Sequence, residues 1–501
     1  MNSKAEDNST SGPSKEASLP IPLPQEVLDR TPPEALALII MLLEQVRTMQ
    51  KRLDAIEELQ RLNSTNSSKP PSSDPPGTLP NRGVRTGKPK GGQPGHKGSH
   101  RAMLPTDKAD HVLKHHPSKC SKCSRELTAG NTVPDCEPVR HQVWELPPVR
   151  AVVTEHQLFR CCCPDCGAVS LAELPVGAPA GAFGPRLIAM VGLLVGRYRI
   201  SRRLCESLLK DGFGVNVSLG GIKALEGLVS ESLESPVKEA HSALQQSPAV
   251  NADDTGWKEG SEKAVLWNAN TPDLAIFKIT EKKDHDSARD LLGKDFAGIL
   301  GVDRAKTYSF QGVKKLQSCW AHLDRHFQRM EDRGGESQPI GKWGKAEVDR
   351  FFVAWHAFKD GKLSRLELQL EIVPIRARMA RLLSRGSDCG QSGRDKTIHA
   401  KTAKTCQNIL SILPAFFTCC YHEGVEPTNN SAEQALRHPV QWRKSSFGSQ
   451  SDAGSRFVER ILSTVETCRR QGRNTLDFLT KSVTALISGT PPPSLLPHPT
   501  G

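Results

Sequence analysis

Three carboxylates stand in contexts that suit a single divalent-metal site. Asp253 lies in Val-Asn-Ala-Asp-Asp-Thr-Gly-Trp, Asp303 in Gly-Ile-Leu-Gly-Val-Asp-Arg, and Glu433 in Pro-Thr-Asn-Asn-Ser-Ala-Glu-Gln-Ala-Leu-Arg. Two acids at strand ends and a third opening a helix can hold two metal ions that polarise a phosphodiester and activate its attacker. Mg²⁺ takes oxygen ligands and keeps several waters, so a few carboxylates suffice. Each acid alone also has an ordinary structural role. Asp253 could make an Asx-turn, and Asp303 could cap a helix beginning near Arg304. Asn430 and Glu433 are spaced like a capping box, and Glu433 could pair with Arg437 one turn on. The joint order of the three acids within a basic chain favours the metal site.

The elements that must position these acids are readable from apolar spacing. Short strand-like runs occupy 249–252, 264–268, 274–279 and 298–302, with a helix over 287–292 before the last. Three strands, a helix and a further strand match the opening of a ribonuclease H-like fold, an α/β arrangement in which the first acid ends the first strand and the second acid ends the fourth. Residues 324–425 read as mostly helical and long enough to be an insertion. The catalytic domain therefore spans 246–485, followed by a Pro-rich tail over 486–501.

Upstream, residues 183–245 read as helical. Ser201 and Ser218 can each cap a helix, with Gly212 and Gly214 between them, which is a helix-turn-helix arrangement. Arg202, Arg203 and Lys223 would face DNA there, as Arg437, Arg443 and Lys444 would after Glu433. Residues 106–175 carry Cys120-Ser-Lys-Cys123 and Cys163-Pro-Asp-Cys166, two knuckles whose four thiolates suit one structural zinc. Cys161 and Cys162 directly precede Cys163, so which of the three ligates stays open; Cys136 has no paired neighbour and is assigned to a core.

Residues 63–105 read as a linker too polar and Pro-rich to pack. Its later part is free of acid and carries Arg82, Arg85, Lys88, Lys90, Lys97 and Arg101, a pattern that can follow a phosphate backbone by releasing counterions. Residues 33–62 form a helix with an a/d seam of Ile39, Leu42, Val46, Met49, Leu53 and Ile56, a leucine-zipper-like coiled coil that points to self-association. Residues 1–32 are Ser/Pro-rich and expected to be disordered. The chain of 501 residues carries a formal net charge of +12, which favours a polyanionic partner. No signal-peptide pattern opens it, and the apolar run Ala35 to Leu43 is too short to span a bilayer. Its 14 cysteines therefore read as those of a soluble protein in a reducing compartment.

From the helical seam to about residue 480 the chain resembles the DDE-class transposases of bacterial insertion sequences, specifically the insertion sequence sixty-six family. The motifs that carry the resemblance are Asn-Ser-Ser-Lys-Pro-Pro-Ser-Ser-Asp at 66–74, Gly-Gly-Gln-Pro-Gly-His-Lys-Gly at 91–98 and the paired knuckles. Ala-Asp-Asp-Thr-Gly-Trp at 252–257, Val-Asp-Arg at 302–304, Cys-Trp-Ala-His-Leu at 319–323 and Thr-Asn-Asn-Ser-Ala-Glu-Gln-Ala-Leu-Arg at 428–437 complete the set. The resemblance implies that Asp253, Asp303 and Glu433 form a catalytic triad holding two Mg²⁺ (or Mn²⁺) ions. It implies cleavage of DNA at the terminal inverted repeats of an element and strand transfer to target DNA. It further implies an assembly of at least two subunits, companion transposition proteins, and a cytoplasmic, nucleoid-associated location in a bacterium. The alternative function is a zinc-containing protein that recognises element ends without cleaving them.

Overall fold

The computed structural model describes residues 30–64, 66–67, 74, 101–134, 136–303, 306–390 and 396–497. The tail at 1–29 and the basic residues Arg82, Arg85, Lys88, Lys90 and Lys97 lie outside them. In chain order the first helices are α1 (Pro33–Arg61), α2 (Pro185–Gly196), α3 (Arg202–Phe213), α4 (Leu219–Ser232), α5 (Glu234–Gln245) and α6 (His285–Leu292). They are followed by α7 (Trp320–Asp332), α8 (Ser337–Lys359), α9 (Arg365–Ser387), α10 (Lys396–Ser411), α11 (Asn430–Ser446), α12 (Asp452–Arg470) and α13 (Thr475–Ser488). The strands are β1 (Arg160–Cys162), β2 (Val169–Leu171), β3 (Ala249–Glu259), β4 (Glu262–Asn270), β5 (Ala275–Thr280), β6 (Ile299–Val302) and β7 (Leu316–Ser318). Among the described residues no helix is long and apolar enough to cross a membrane. The chain forms two compact units, 1–81 with 320–411 and 82–319 with 412–501.

The unit of residues 82–319 and 412–501 is built on a five-stranded mixed sheet in the order β5-β4-β3-β6-β7. β4 runs antiparallel to both β3 and β5, while β6 adds to β3 and β7 to β6 in parallel. The β3–β4 hairpin turns at Gly260, whose φ of 57° suits a residue without Cβ. An exposed edge strand offers unpaired N–H groups to other chains. On β5 that edge is covered by α12. Thr467, Ser463 and Glu459 accept the N–H groups of Ala275, Phe277 and Ile279 at 3.0, 2.9 and 2.5 Å. Four helical residues advance about 6 Å and two strand residues about 6.8 Å, so the two ladders stay in step. This is why α12 buries hydroxyls and a carboxyl where an amphipathic helix would present apolar side chains.

The helices before the sheet follow their local signals. Ser201 accepts the Leu204 N–H at 3.2 Å and caps α3, Gly214 closes it at φ 68°, and Ser218 caps α4 by accepting the Gly221 N–H at 3.1 Å. α2 approaches α12 closely at Gly196, where an added Cβ would fall 2.3 Å from Ile461 Cγ1. Two expectations need correction here. The Pro-rich residues after α13 are not a free tail: Leu495 is fully buried, its carbonyl accepts Gln471 Nε2 at 2.9 Å, and Ser494 Oγ donates to Glu239 at 2.7 Å. Cys136 is exposed rather than core. No described residue between 101 and 176 is buried, so this stretch has no apolar core that could enclose a thiol.

In the unit of residues 1–81 and 320–411, helices α7 to α10 pack around Trp320 and Phe351, stacked with ring centroids 3.7 Å apart. Glu347 is buried and accepts from Arg378 Nε at 2.9 Å and from Arg350. The start of the expected linker belongs to this unit and is ordered against α7. Asn66 and Ser67 are buried; Asn66 Nδ2 donates to Asp332 at 2.8 Å, and Arg329 Nε donates to the Asn66 carbonyl at 3.0 Å. Asp74 accepts both the N–H and the hydroxyl of Ser64, at 2.8 and 2.6 Å. Polar residues pack here because each finds a hydrogen-bond partner, which composition alone does not reveal. The apolar seam of α1 stays open: Leu42, Val46, Met49, Leu53 and Ile56 are each about half exposed.

Candidate active site

Asp253 sits inside β3, which continues past it to Glu259 in register with β4. It is therefore not at a strand end, as expected from apolar spacing. It lies just beyond the parallel part of β3, whose pairing with β6 runs from Ala249↔Ile299 to Asn251↔Gly301. Asp303 follows the last residue of β6 directly. Parallel strands release their next residues side by side at the carboxyl end, which brings the two aspartates together across fifty residues of sequence.

Glu433 reaches the same place on the first turn of α11. Asn429, immediately before that helix, does not cap it; its Nδ2 donates instead to the Ala252 carbonyl at 2.8 Å. Ser431 Oγ donates to Asn270 Oδ1 at 2.7 Å, tying the same turn to β4. Gln317 on β7 clamps the approach to α11: its Nε2 donates to the carbonyls of Phe416 and Pro427 at 3.2 and 3.4 Å, and its Oε1 accepts the Cys419 N–H at 2.7 Å. The Glu433 carboxylate lies within 4.8 Å of the Cys319 thiol, and that thiol accepts the Asn429 N–H at 3.2 Å. The helix begins at Asn430, so Asn430 and Glu433 do not form the capping box that their spacing allows.

The electrostatics follow from this assembly. Burial first, then the Asp303 charge, push the Asp253 carboxyl up to about 8, with Asp254 and Glu433 adding to the push and the Asp254 N–H, donated at 2.8 Å, opposing it. Asp254 is also raised by burial and by Asp303, against an ion pair with Lys283 at 2.7 Å. The Tyr308 phenol is held well above its usual range by burial, then by Asp254, Asp253 and Asp303. The three sequence-predicted acids thus share one field but stand apart, since among the described residues they do not converge to within 4.8 Å of one another. Carboxylates that share one field supply the hard oxygen donors a divalent cation takes. Lys283, Tyr308, Asn429 and Gln317 were not singled out from sequence. Tyr308 and Asn429 lie close to the acid motifs, which was the available signal.

The basic residues divide. Arg203, Lys223, Arg437 and Lys444 are exposed. Arg443 donates to Thr255 Oγ1 at 3.3 Å and to the Gly256 carbonyl, both on β3 two or three residues past Asp253. Arg202 forks onto the buried Glu226 with Nε and Nη2, at 2.9 and 2.6 Å, so its guanidinium joins α3 to α4. Arg101 lies over the Trp144 ring, 3.6 Å from its centroid.

The two cysteine knuckles are local copies of one turn. The Cys120 N–H donates to the Arg125 carbonyl and the Cys163 N–H to the Ala168 carbonyl, both at 2.8 Å. Ser124 and Gly167, each four residues after the first cysteine, take left-handed φ of 60° and 71°. In each turn two backbone N–H groups, from Cys123 and Lys122 or from Cys166 and Asp165, lower the first thiol below its usual range. That is the donor arrangement a metal-bound thiolate needs. The second turn is built on Cys163 and Cys166, while Cys161 and Cys162 lie in β1. Among the described residues no three knuckle thiols converge within 4.8 Å.

The model of the transposase IS66 family matches residues 181–456, over half of the chain. The chain belongs to the IS66 family of transposases. Asp253, Asp303 and Glu433 all fall within the matched stretch. A family of unknown function, DUF6444, matches residues 22–102, which include α1 and the ordered turn beside α7. An uncharacterized protein, y4qI, of Sinorhizobium fredii (strain NBRC 101917 / NGR234) is 28% identical over 257 residues, covering 46% of this chain and 45% of that protein. The match thus spans less than half of that relative's length.

Proposed function

We propose that the chain is a DNA transposase whose catalytic acids are Asp253, Asp303 and Glu433, carried on a ribonuclease H-like domain. One observation carries this reading: acids from three distant stretches share one field, and burial with Asp303 pushes Asp253 up to about 8. Like charges gathered in a partly buried site need a counter-charge. Mg²⁺ or Mn²⁺ held by these acids would supply Lewis-acid polarisation of the scissile phosphate and its leaving oxygen. The sheet order, three antiparallel strands followed by two parallel ones, supports the ribonuclease H-like reading.

The chain's own residues bind and orient. Asp253 with Asp303, and Asp253 with Glu433, would hold the ions. Arg437, Arg443 and Lys444 on α11 would offset phosphate charge beside them. Water breaks the strand at the element end and leaves a 3′-OH; that hydroxyl then displaces a phosphate oxygen in target DNA. In each step one P–O bond forms as another breaks, so no covalent enzyme intermediate is needed. The two knuckles would hold one structural zinc, α1 would pair with a second copy, and companion transposition proteins would complete the machinery. The test is nicking, with Mg²⁺ or Mn²⁺, of a plasmid carrying the DNA that flanks the gene. Asp253→Ala, Asp303→Ala and Glu433→Ala should each abolish nicking and leave end binding nearly intact. A Glu433→Ala protein with normal strand transfer would sink the assignment, and end binding without any nicking by the unaltered chain would favour the non-cleaving alternative.

A further inference from the structure

Arg470, in the last turn of α12, is almost wholly enclosed: its side chain is 8% exposed. A guanidinium can only donate hydrogen bonds, and enclosing its charge is costly unless its donors are met. Here they converge on the end of β4 and the start of α11. Nε donates to Glu466 at 3.1 Å, and Nη1 donates to the carbonyl of Thr271, the residue after β4, at 2.7 Å. Nη2 donates to the hydroxyl and the carbonyl of Ser431, at 3.1 and 3.4 Å. Since that hydroxyl accepts from Arg470, its own proton is turned to Asn270, whose Oδ1 accepts it at 2.7 Å. Asn270 Nδ2 donates in turn to Asn268 Oδ1 at 2.6 Å, and Asn268 Nδ2 to the Ile276 carbonyl at 3.2 Å. Both asparagines are buried. The cation at one end thus sets the direction of every bond along this relay.

The strand register locates the relay. Asn268 pairs directly with Asp253 across β3 and β4, and Asn270 with Asn251. Directly paired residues share a face of the sheet, and so do residues two apart on one strand. Asn268, Asn270 and Asp253 therefore lie on one face, and Ser431 reaches that face from α11. At the other end of α11, Arg443 donates to Thr255 Oγ1 at 3.3 Å, on the same face again. The helix is thus laid along the Asp253 face, with Glu433 two residues after Ser431 on its first turn. We propose that Arg470 and Ser431 are positioning residues: Arg470 holds Ser431, and Ser431 fixes the turn that presents Glu433 to a divalent ion held with Asp253. This inference rests on the carboxylate-triad reading. A ligand held in place before the ion arrives loses less freedom on binding it, so loosening the turn weakens metal binding as well as catalysis.

The test follows the full-length protein by thermal unfolding in EDTA and across a MgCl₂ series, with Mg²⁺-dependent plasmid nicking measured alongside. Ser431→Ala removes the hydroxyl and leaves the Arg470 bonds to Glu466, Thr271 and the Ser431 carbonyl. It should need roughly 10-fold more Mg²⁺ for half of the midpoint shift and for half-maximal nicking, the scale of losing a residue that orients a metal ligand. Ser431→Thr, which keeps the hydroxyl, should match the parent. Arg470→Lys keeps a charge beside Glu466 but cannot fork onto Thr271 and Ser431, and it should raise the Mg²⁺ requirement in the same direction. Should Arg470→Lys fail to fold, Ser431→Ala decides. A Ser431→Ala protein with a lower midpoint in EDTA and an unchanged Mg²⁺ requirement, from a parent that does nick, makes the relay structural only and overturns this role alone. A parent chain that neither nicks nor is stabilised by Mg²⁺ overturns the triad reading, and the positioning role falls with it.

Discussion

Replacing Asp253 with Asn should abolish nicking and yet stabilise the metal-free protein. Asparagine has the same shape, and its Oδ1 can still accept the Asp254 N–H that Asp253 accepts at 2.8 Å. What it removes is a charge the fold disfavours. Burial and then Asp303 raise this carboxyl from an ordinary 3.8 to about 8. Between those values the folded chain binds a proton that the unfolded chain has released. Stability therefore falls as pH rises from about 4 to about 8, and stays low above that. At ~1.36 kcal/mol per pH unit, the cost at pH 7 is on the order of 4 kcal/mol. The asparagine amide is still a buried polar group, so the recoverable part is on the order of 1–3 kcal/mol. Calorimetric unfolding in EDTA at several pH values reads this directly. The advantage of Asp253→Asn should grow from acid pH to about pH 8 and then level off. Added Mg²⁺ should stabilise the unaltered chain and leave the variant behind. A variant less stable than the parent in EDTA near pH 7, or an advantage independent of pH, would refute the reasoning.

Three further outcomes are expected. Ser463→Ala strands the Phe277 N–H on a covered sheet edge and should cost about 1–3 kcal/mol in unfolding measurements, while Thr467→Ser, which keeps its hydroxyl, should cost less. About one zinc per chain should co-purify by elemental analysis, and Cys120→Ser or Cys163→Ser should release it, with hydrogen exchange rising across residues 115–170; native protein without zinc would end that idea. Val46→Asp with Leu53→Asp places two charges in the seam of α1 and should lower paired-end complex formation more than single-end binding in gel-shift assays; equal losses would assign α1 to DNA binding rather than self-association.

What sequence alone determined about this protein is local. The Ser201 and Ser218 caps, the glycine that closes α3, the strand cores and the two cysteine turns depend on hydrogen bonds spanning three to five residues, and spacing encodes those. The motif contexts of Asp253, Asp303 and Glu433 were also visible, because a resemblance works through ordered short motifs. The assembly of the site was not. Asp253 and Asp303 come within each other's field because β6 pairs in parallel with β3, and Glu433 is brought into it because Asn429 and Ser431 tie the first turn of α11 to β3 and β4. Burial was misjudged where polar groups found distant partners. Asn66 packs through Arg329 and Asp332, and Leu495 is buried although it belongs to a chain end that composition marks as free. Arg202, read as a phosphate ligand, is committed to Glu226. Tyr308 and Lys283 gain their place only from the fold, since a side chain's field and partners are set by residues that the chain brings together from afar. Composition can say that a group is polar; whether it is paired, orphaned or surrounded by like charge is decided by tertiary structure.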